Sequence, residues 1–107
     1  MEAVQKVKCI NGAWFVLSFE LAGHNGIALS SPDLPIQRAG LLDLAEGGFE
    51  EGAEVKLRIK AAMGRSLELP KPLCFVCNGK TAVFEVSGTS LNFNMRLVGV
   101  QDRNGPD

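Results

Sequence analysis

The chain has 107 residues, 46% of them hydrophobic and 21% charged, with a formal net charge of −1 at pH 7. This is the composition of one globular domain, which excludes a disordered chain and a second core, and the near-neutral charge gives no reason to expect a nucleic-acid partner. No apolar run approaches the roughly 18 residues that a membrane-spanning helix requires.

In chain order, Lys6 and Lys8 precede an apolar stretch that Asn11-Gly12 interrupts. No secretory leader is expected from that pattern, and a cytoplasmic location is. Asn11-Gly12 reads as a hairpin turn. A three-residue loop of Ile10, Asn11 and Gly12, with Gly12 left-handed, turns Val7, Cys9, Ala13, Phe15, Leu17 and Phe19 inward. The same register turns Lys6, Lys8, Trp14, Val16, Ser18 and Glu20 outward, and Gly12 becomes the residue least replaceable in the turn.

Between Ala22 and Gly40 the glycines and prolines leave room for one short strand, Ile27 to Ser30, followed by a loop through Ser31-Pro32-Asp33-Leu34-Pro35. The only helical candidate, around Leu41 to Glu46, is very short. Val55, Leu57, Ile59 and Ala61 alternate with Lys56, Arg58 and Lys60, the period of a strand with one wet face. Asn78-Gly79 predicts a second hairpin, joining Leu73–Cys77 to Lys80–Val86 with Leu73, Phe75, Cys77, Ala82, Phe84 and Val86 on one face. Leu91, Phe93, Met95 and Leu97 alternate with Asn92, Asn94 and Arg96. The polar residues 101–107 read as a frayed tail beyond a domain of residues 1–100.

Candidate chemistry is sparse. Cys74 and Cys77 have the spacing of a redox pair, but on a strand they point to opposite faces and act as small hydrophobes. With Cys9 they make an odd number of thiols, expected to be reduced. Asp43, Glu46, Glu50, Glu51 and Glu54 could offer carboxylates to Ca²⁺, but they do not follow the EF-hand spacing, and a solvated, charged loop is the default reading. The single histidine, His24, sits between Gly23 and Asn25 and completes no catalytic set. No catalytic residue, cofactor or metal site is expected. Two readings remain for the outward Trp14. With Lys8, Val16, Lys56, Arg58, Lys60 and Arg65 it can form an aromatic-plus-basic surface for a lipid headgroup or glycan. Alternatively, Trp14 and Val16 form a sheet face buried in a homodimer or against another protein partner.

Several segments carry a family resemblance. They are Asn11-Gly12-Ala13-Trp14-Phe15-Val16-Leu17-Ser18-Phe19, Leu42-Asp43-Leu44, Glu51-Gly52-Ala53-Glu54-Val55, Gly64-Arg65-Ser66, and the stretch from Asn78 to Thr89. In these the chain resembles the aegerolysin-like family of small jelly-roll proteins. The resemblance implies a non-enzymatic two-sheet sandwich that recognises particular lipids through exposed aromatic and charged loop residues. The fold expected is therefore all-β: a single antiparallel, jelly-roll-like β-sandwich of about seven to nine strands.

Overall fold

Alternating apolar and polar residues form strands because successive side chains leave a strand on opposite faces. The computed structural model describes residues 2–24, 26–62, 65–89 and 91–101. It is all-β, with two sheets of six and four strands. In chain order the elements are β1 (Ala3–Val4), β2 (Lys6–Asn11), β3 (Leu17–Gly23), β4 (Gly26–Ser30) and β5 (Ala39–Asp43). A one-turn 3₁₀ helix (Leu44–Gly47) precedes β6 (Glu54–Ala61), β7 (Ser66–Glu68), β8 (Leu73–Phe75), β9 (Thr81–Thr89) and β10 (Asn92–Gln101).

The six-stranded sheet runs β1-β8-β6-β3-β4, with β7 also on β6, and the four-stranded sheet runs β10-β9-β2-β5. Both are mixed, not antiparallel as expected, because β1 lies parallel to β8 and β2 parallel to β9. The cause is that neither Asn-Gly pair reverses the chain within a sheet. Asn11-Gly12 and Asn78-Gly79 both lie where the chain passes from one sheet to the other. The passage from β1 to β2 and the passage from β8 to β9 run side by side, so the strands they feed are necessarily parallel. Side-chain amides bind the two passages together. Asn78 Nδ2 donates to the Ala3 carbonyl at 2.9 Å, and the Gly79 N–H donates to Gln5 Oε1 at 3.0 Å.

Gly12 is not left-handed, contrary to the expected loop. It is confined instead by close approach, since a Cβ there would stand 3.0 Å from the Val86 carbonyl oxygen. The fully buried residue is its neighbour. Asn11 Nδ2 donates to the carbonyls of Phe15 (2.8 Å), Leu34 (3.0 Å) and Pro35 (3.2 Å), and Asn11 Oδ1 accepts from the Ala13 N–H at 3.0 Å. Its own backbone exchanges bonds with Arg38 O and Gln37 N. One side chain thus fixes the path of residues 12–16 against the 34–38 loop.

The expected faces survive the change of turn. Val7, Cys9, Ala13, Leu17 and Phe19 are buried, and Phe15 is half-buried. Along β6 the alternation holds at every position from Glu54 to Ala61. Val4, Val7, Cys9, Ala82, Phe84 and Val86 share one buried cluster with Phe19, Leu57 and Ile59, so both sheets close on the same interior.

The ten strands among the described residues exceed the seven to nine expected, because short pieces such as β1, β7 and β8 add to the longer strands, and other expectations fail as well. Glu20 is buried and its Oε1 has no hydrogen-bond partner, while its cross-strand neighbour Arg58 pairs with Glu68 at 3.4 Å. Cys77 is exposed beyond the end of β8. Leu91 and Leu97 are exposed: Leu91 lies in the turn before β10, and Leu97, still in register with buried Phe84, borders an open cleft. The helical candidate divides into β5 and the 3₁₀ turn, where Asp43 Oδ1 accepts from the Ala45 N–H. The expected strand near Ile27 is present as β4, and Gln101 belongs to β10, paired with Thr81. The rest of the predicted tail, residues 102–107, lies outside the described residues.

Removing the Asn11 amide strands several buried backbone groups at once, each worth about 1–3 kcal/mol when left unsatisfied. Asn11→Ala is expected to lower the unfolding free energy by about 3 kcal/mol in urea titration, more than Gly12→Ala does. An equal or larger loss for Gly12→Ala would contradict this account.

Candidate functional site

The segment Ala13–Val16 belongs to no strand. It is a crossover held down at both ends, and the way it is held determines what it exposes. The Trp14 N–H donates to the Gly88 carbonyl at 3.0 Å, and the Val16 carbonyl accepts from the Ala62 N–H at 3.0 Å. Phe15 turns inward between these anchors and packs on Phe93, ring centroids 4.9 Å apart. Trp14 is consequently left pointing out, 74% exposed, and Val16 is partly exposed.

Two further loops meet the crossover at the same end. Gly88 has φ of +115°, and a Cβ there would come within 2.4 Å of the Asn92 carbonyl oxygen, so only glycine fits the approach to the β9–β10 turn. That turn presents Leu91, 77% exposed. An Arg65 guanidinium N–H donates to the Leu91 carbonyl, tying the segment before β7 to the turn. Arg65, Ser66, Leu67, Asn92 and Phe93 line a recess of about 230 Å³. The end of the molecule therefore combines exposed apolar side chains with a recess furnished by a guanidinium, a hydroxyl and an amide.

The structure brings together Trp14, Val16 and Arg65 of the expected site and leaves the others elsewhere. Lys56, Arg58 and Lys60 project from the outer face of the six-stranded sheet, where Arg58 is paired with Glu68. Lys56 also lines a polar recess of about 280 Å³ with His24 and Glu54. Lys8 lies on the outer face of the four-stranded sheet, between Leu41 on β5 and Val83 on β9. Trp14 and Val16 lie in a crossover and not on a sheet face, so they do not form the sheet-face interface expected of them. Leu91, Ser66 and Asn92 were missed as site residues. The alternation placed Leu91 inward, and the only warning was its position directly before a strand of polar Asn residues.

No protein-family model and no curated protein matches this chain.

A third cleft, about 420 Å³, opens beside β10, lined by Leu69, Pro70, Pro72, Leu73, Phe84 and Leu97 together with Lys71 and Glu2. It holds none of the expected site residues. The acidic stretch is dispersed: Asp43 caps the 3₁₀ turn, and Glu51 accepts from the Cys77 N–H. Among the described residues no three His, Cys, Asp or Glu side chains gather as a metal set, and no helix is long and apolar enough to cross a membrane.

All three cysteines are free. Burial pushes the Cys9 thiol up to about 12. The Cys77 thiol is raised as well, by desolvation and then by the hydrogen bond and charge of Glu51 and the charge of Asp43. Raised thiols are poor nucleophiles, the reverse of a redox CxxC. At pH 8 a thiol reagent is expected to modify exposed Cys77 first and half-buried Cys74 more slowly, reaching Cys9 only on unfolding. Cys9 also sets a pH dependence. Its stabilising burial is fully present below the unfolded-state value of 9.0 and is lost as pH rises toward about 12. Urea titrations should show a fall approaching about 1.4 kcal/mol per pH unit in that window, and Cys9→Ala should remove that component.

Proposed function

We propose that the chain is a non-enzymatic binding module that sets one end of a jelly-roll-like β-sandwich on a membrane surface, with a lipid headgroup in the Arg65 recess. The observation that carries this reading is the convergence of Trp14, Leu91 and Arg65 on that end. An indole favours the bilayer interface, where its ring is apolar and its N–H stays wet. Leu91 and Val16 add exposed apolar surface at the same end. Arg65 retains N–H donors beyond the one given to Leu91, and a guanidinium fork matches phosphate oxygens. Ser66 and Asn92 supply neutral donors to the same oxygens.

A sugar ring would also stack on Trp14, but Leu91 and Val16 offer it little, and this favours lipid over glycan. The reading agrees with what the aegerolysin-like resemblance implies. Three free thiols suit a cytoplasmic protein, and cytoplasmic leaflets carry anionic lipid.

Co-sedimentation with phosphatidylcholine vesicles, with and without phosphatidylserine, tests the proposal. Binding is expected to rise with anionic lipid and to fall with salt, and Trp14 emission should shift to the blue as the indole leaves water. Trp14→Ala and Leu91→Ser are each expected to weaken binding by about tenfold or more, the loss of one buried apolar anchor. Folded protein that ignores both vesicle types would end the proposal, and binding on a glycan array alone would replace the headgroup with a sugar.

A further inference from the structure

The open margins of the two sheets are short, with one exception. β5, β4, β1 and β7 span five, five, two and three residues, while β10, which ends the four-stranded sheet, spans ten. Hydrogen bonds decide which groups of β10 its own sheet uses. The carbonyls of Val86 and Gly88 on β9 accept from the N–H groups of Gly12 and Trp14, so these two residues turn their backbone away from β10. Backbone groups alternate sides along a strand, so Glu85, Ser87 and Thr89 face β10, opposite Arg96, Asn94 and Asn92. The residues between, Phe93, Met95 and Leu97, therefore direct their N–H and C=O groups to the open margin. Among the described residues no hydrogen bond is made to these groups.

This edge lacks the usual guards. Residues 92–97 include no Pro and no Lys, and their one cation, Arg96, is paired with Glu85 at 3.1 Å. The register irregularity comes only afterwards, between Leu97 and Gly99. The inner side of the strand is also incompletely covered: Phe93 is 8% exposed, Met95 half-buried and Leu97 39% exposed. The cause lies in the facing sheet. The Leu69 N–H donates to the Leu57 carbonyl at 2.8 Å and prolongs the pairing of β7 with β6, but a strand does not continue through Pro70 and Pro72, which have no N–H. The cleft of about 420 Å³ lies at this break, lined by Phe84 and Leu97 from one sheet and residues 69–73 from the other.

We infer that the edge formed by residues 92–97 of β10 takes an extended peptide from a partner protein as an added strand, with the cleft receiving one of its apolar side chains. Charge complementarity names the occupant. N–H and C=O dipoles alternate along the edge at the strand spacing, and another extended backbone offers the opposite partial charges at that same spacing. A strand so placed sets alternate side chains beside Met95 and Leu97 on the inner side, and the others beside Asn94 and Arg96 in water. The inner ones are required to be apolar, as their neighbours are, and the one next to Leu97 lies over the cleft. The partner segment therefore alternates apolar and polar residues. A second copy is the poorer occupant. With β10 paired antiparallel to itself about Met95, it sets Phe93 beside Leu97, and that ring is already packed on Phe15 in its own core.

Amide exchange followed by NMR, with peptide binding followed by fluorescence anisotropy, tests the inference on the intact chain. Alone, the chain is expected to exchange the Met95 and Leu97 amides faster than those of Asn94 and Arg96, which bond to β9. The probe is a synthetic peptide library in which Val, Leu, Ile or Phe alternates with Thr or Lys. Its tightest members are expected to protect the Met95 and Leu97 amides. N-methylation of every second peptide residue should abolish binding, and N-methylation of the intervening residues should leave it unchanged. Met95→Pro, which removes an edge N–H and no bond to β9, should weaken the peptide by about tenfold or more, as should Leu97→Lys at the cleft. Where Met95→Pro does not fold, Leu97→Lys and the N-methyl series decide. A library without binders overturns the inference, as does binding indifferent to Leu97→Lys and to N-methylation. A two-chain mass whose Met95 and Leu97 amides are protected without peptide overturns it too, since the edge is then filled by a second copy. Trp14→Ala should leave peptide binding unchanged, so the lipid reading stands or falls separately.

Discussion

One carboxamide determines where the chain leaves the four-stranded sheet and what it shows to solvent. Asn11 is fully buried and satisfies three carbonyls and one N–H with its side chain alone. A crossover between sheets cannot satisfy its backbone groups through a ladder, and buried groups left unmatched are costly. The amide supplies what the ladder cannot. It also joins the crossover to the 34–38 loop, where Leu17 and Leu34 exchange backbone bonds. With residues 12–16 fixed in this way, Phe15 has one direction left to it, and Trp14 takes the opposite one.

The same logic organises the other passage between sheets. Asn78, Gly79 and Gln5 bind the two crossings to one another, and Asn78 Oδ1 also accepts from the Lys80 N–H. Parallel pairing of β1 with β8 and of β2 with β9 follows directly. Parallel neighbours ordinarily demand a long return connection. Here each pair is formed by strands far apart in sequence, and the chain between them builds most of both sheets. The resulting contacts are long-range, a topology that folds slowly compared with a set of local hairpins.

How much of this was legible in the sequence depended on the range of the interaction. The alternation in β6 is decided by neighbours two residues away, and it read correctly from Val55 to Ala61. Val7, Cys9, Leu17 and Phe19 also read correctly although the turn between them did not, because burial needs only the period within each strand. Asn11-Gly12 misled because Asn-Gly is a sound local signal for a tight turn. The partners of Asn11 are 23 and 24 residues away at Leu34 and Pro35, and nothing in the spacing announces them. Glu20 was unreadable for a related reason: its cross-strand neighbour Arg58 pairs with Glu68 across another strand pair, and nothing local announces that choice. The recess at Arg65 required three loops to converge, whereas Trp14 alone was visible as an outward indole.

The two surfaces that remain exposed therefore differ in origin. Leu41 and Val98 are exposed because a sheet has two faces and the core uses one, so their exposure is a consequence of architecture. Trp14 is exposed because a buried amide, an aromatic pair and a backbone bond to Gly88 leave it no inward direction. A hydrophobic core gains nothing from that indole, and its apolar surface is left available for contact with something outside the chain. The fold spends Asn11 to hold the crossover rigid, which lowers the ordering cost that a mobile loop would meet on binding. The crossover thus holds an apolar tip beside the recess that Arg65 lines. The surfaces share no side chain, so changes in one are expected to add to changes in the other with little coupling.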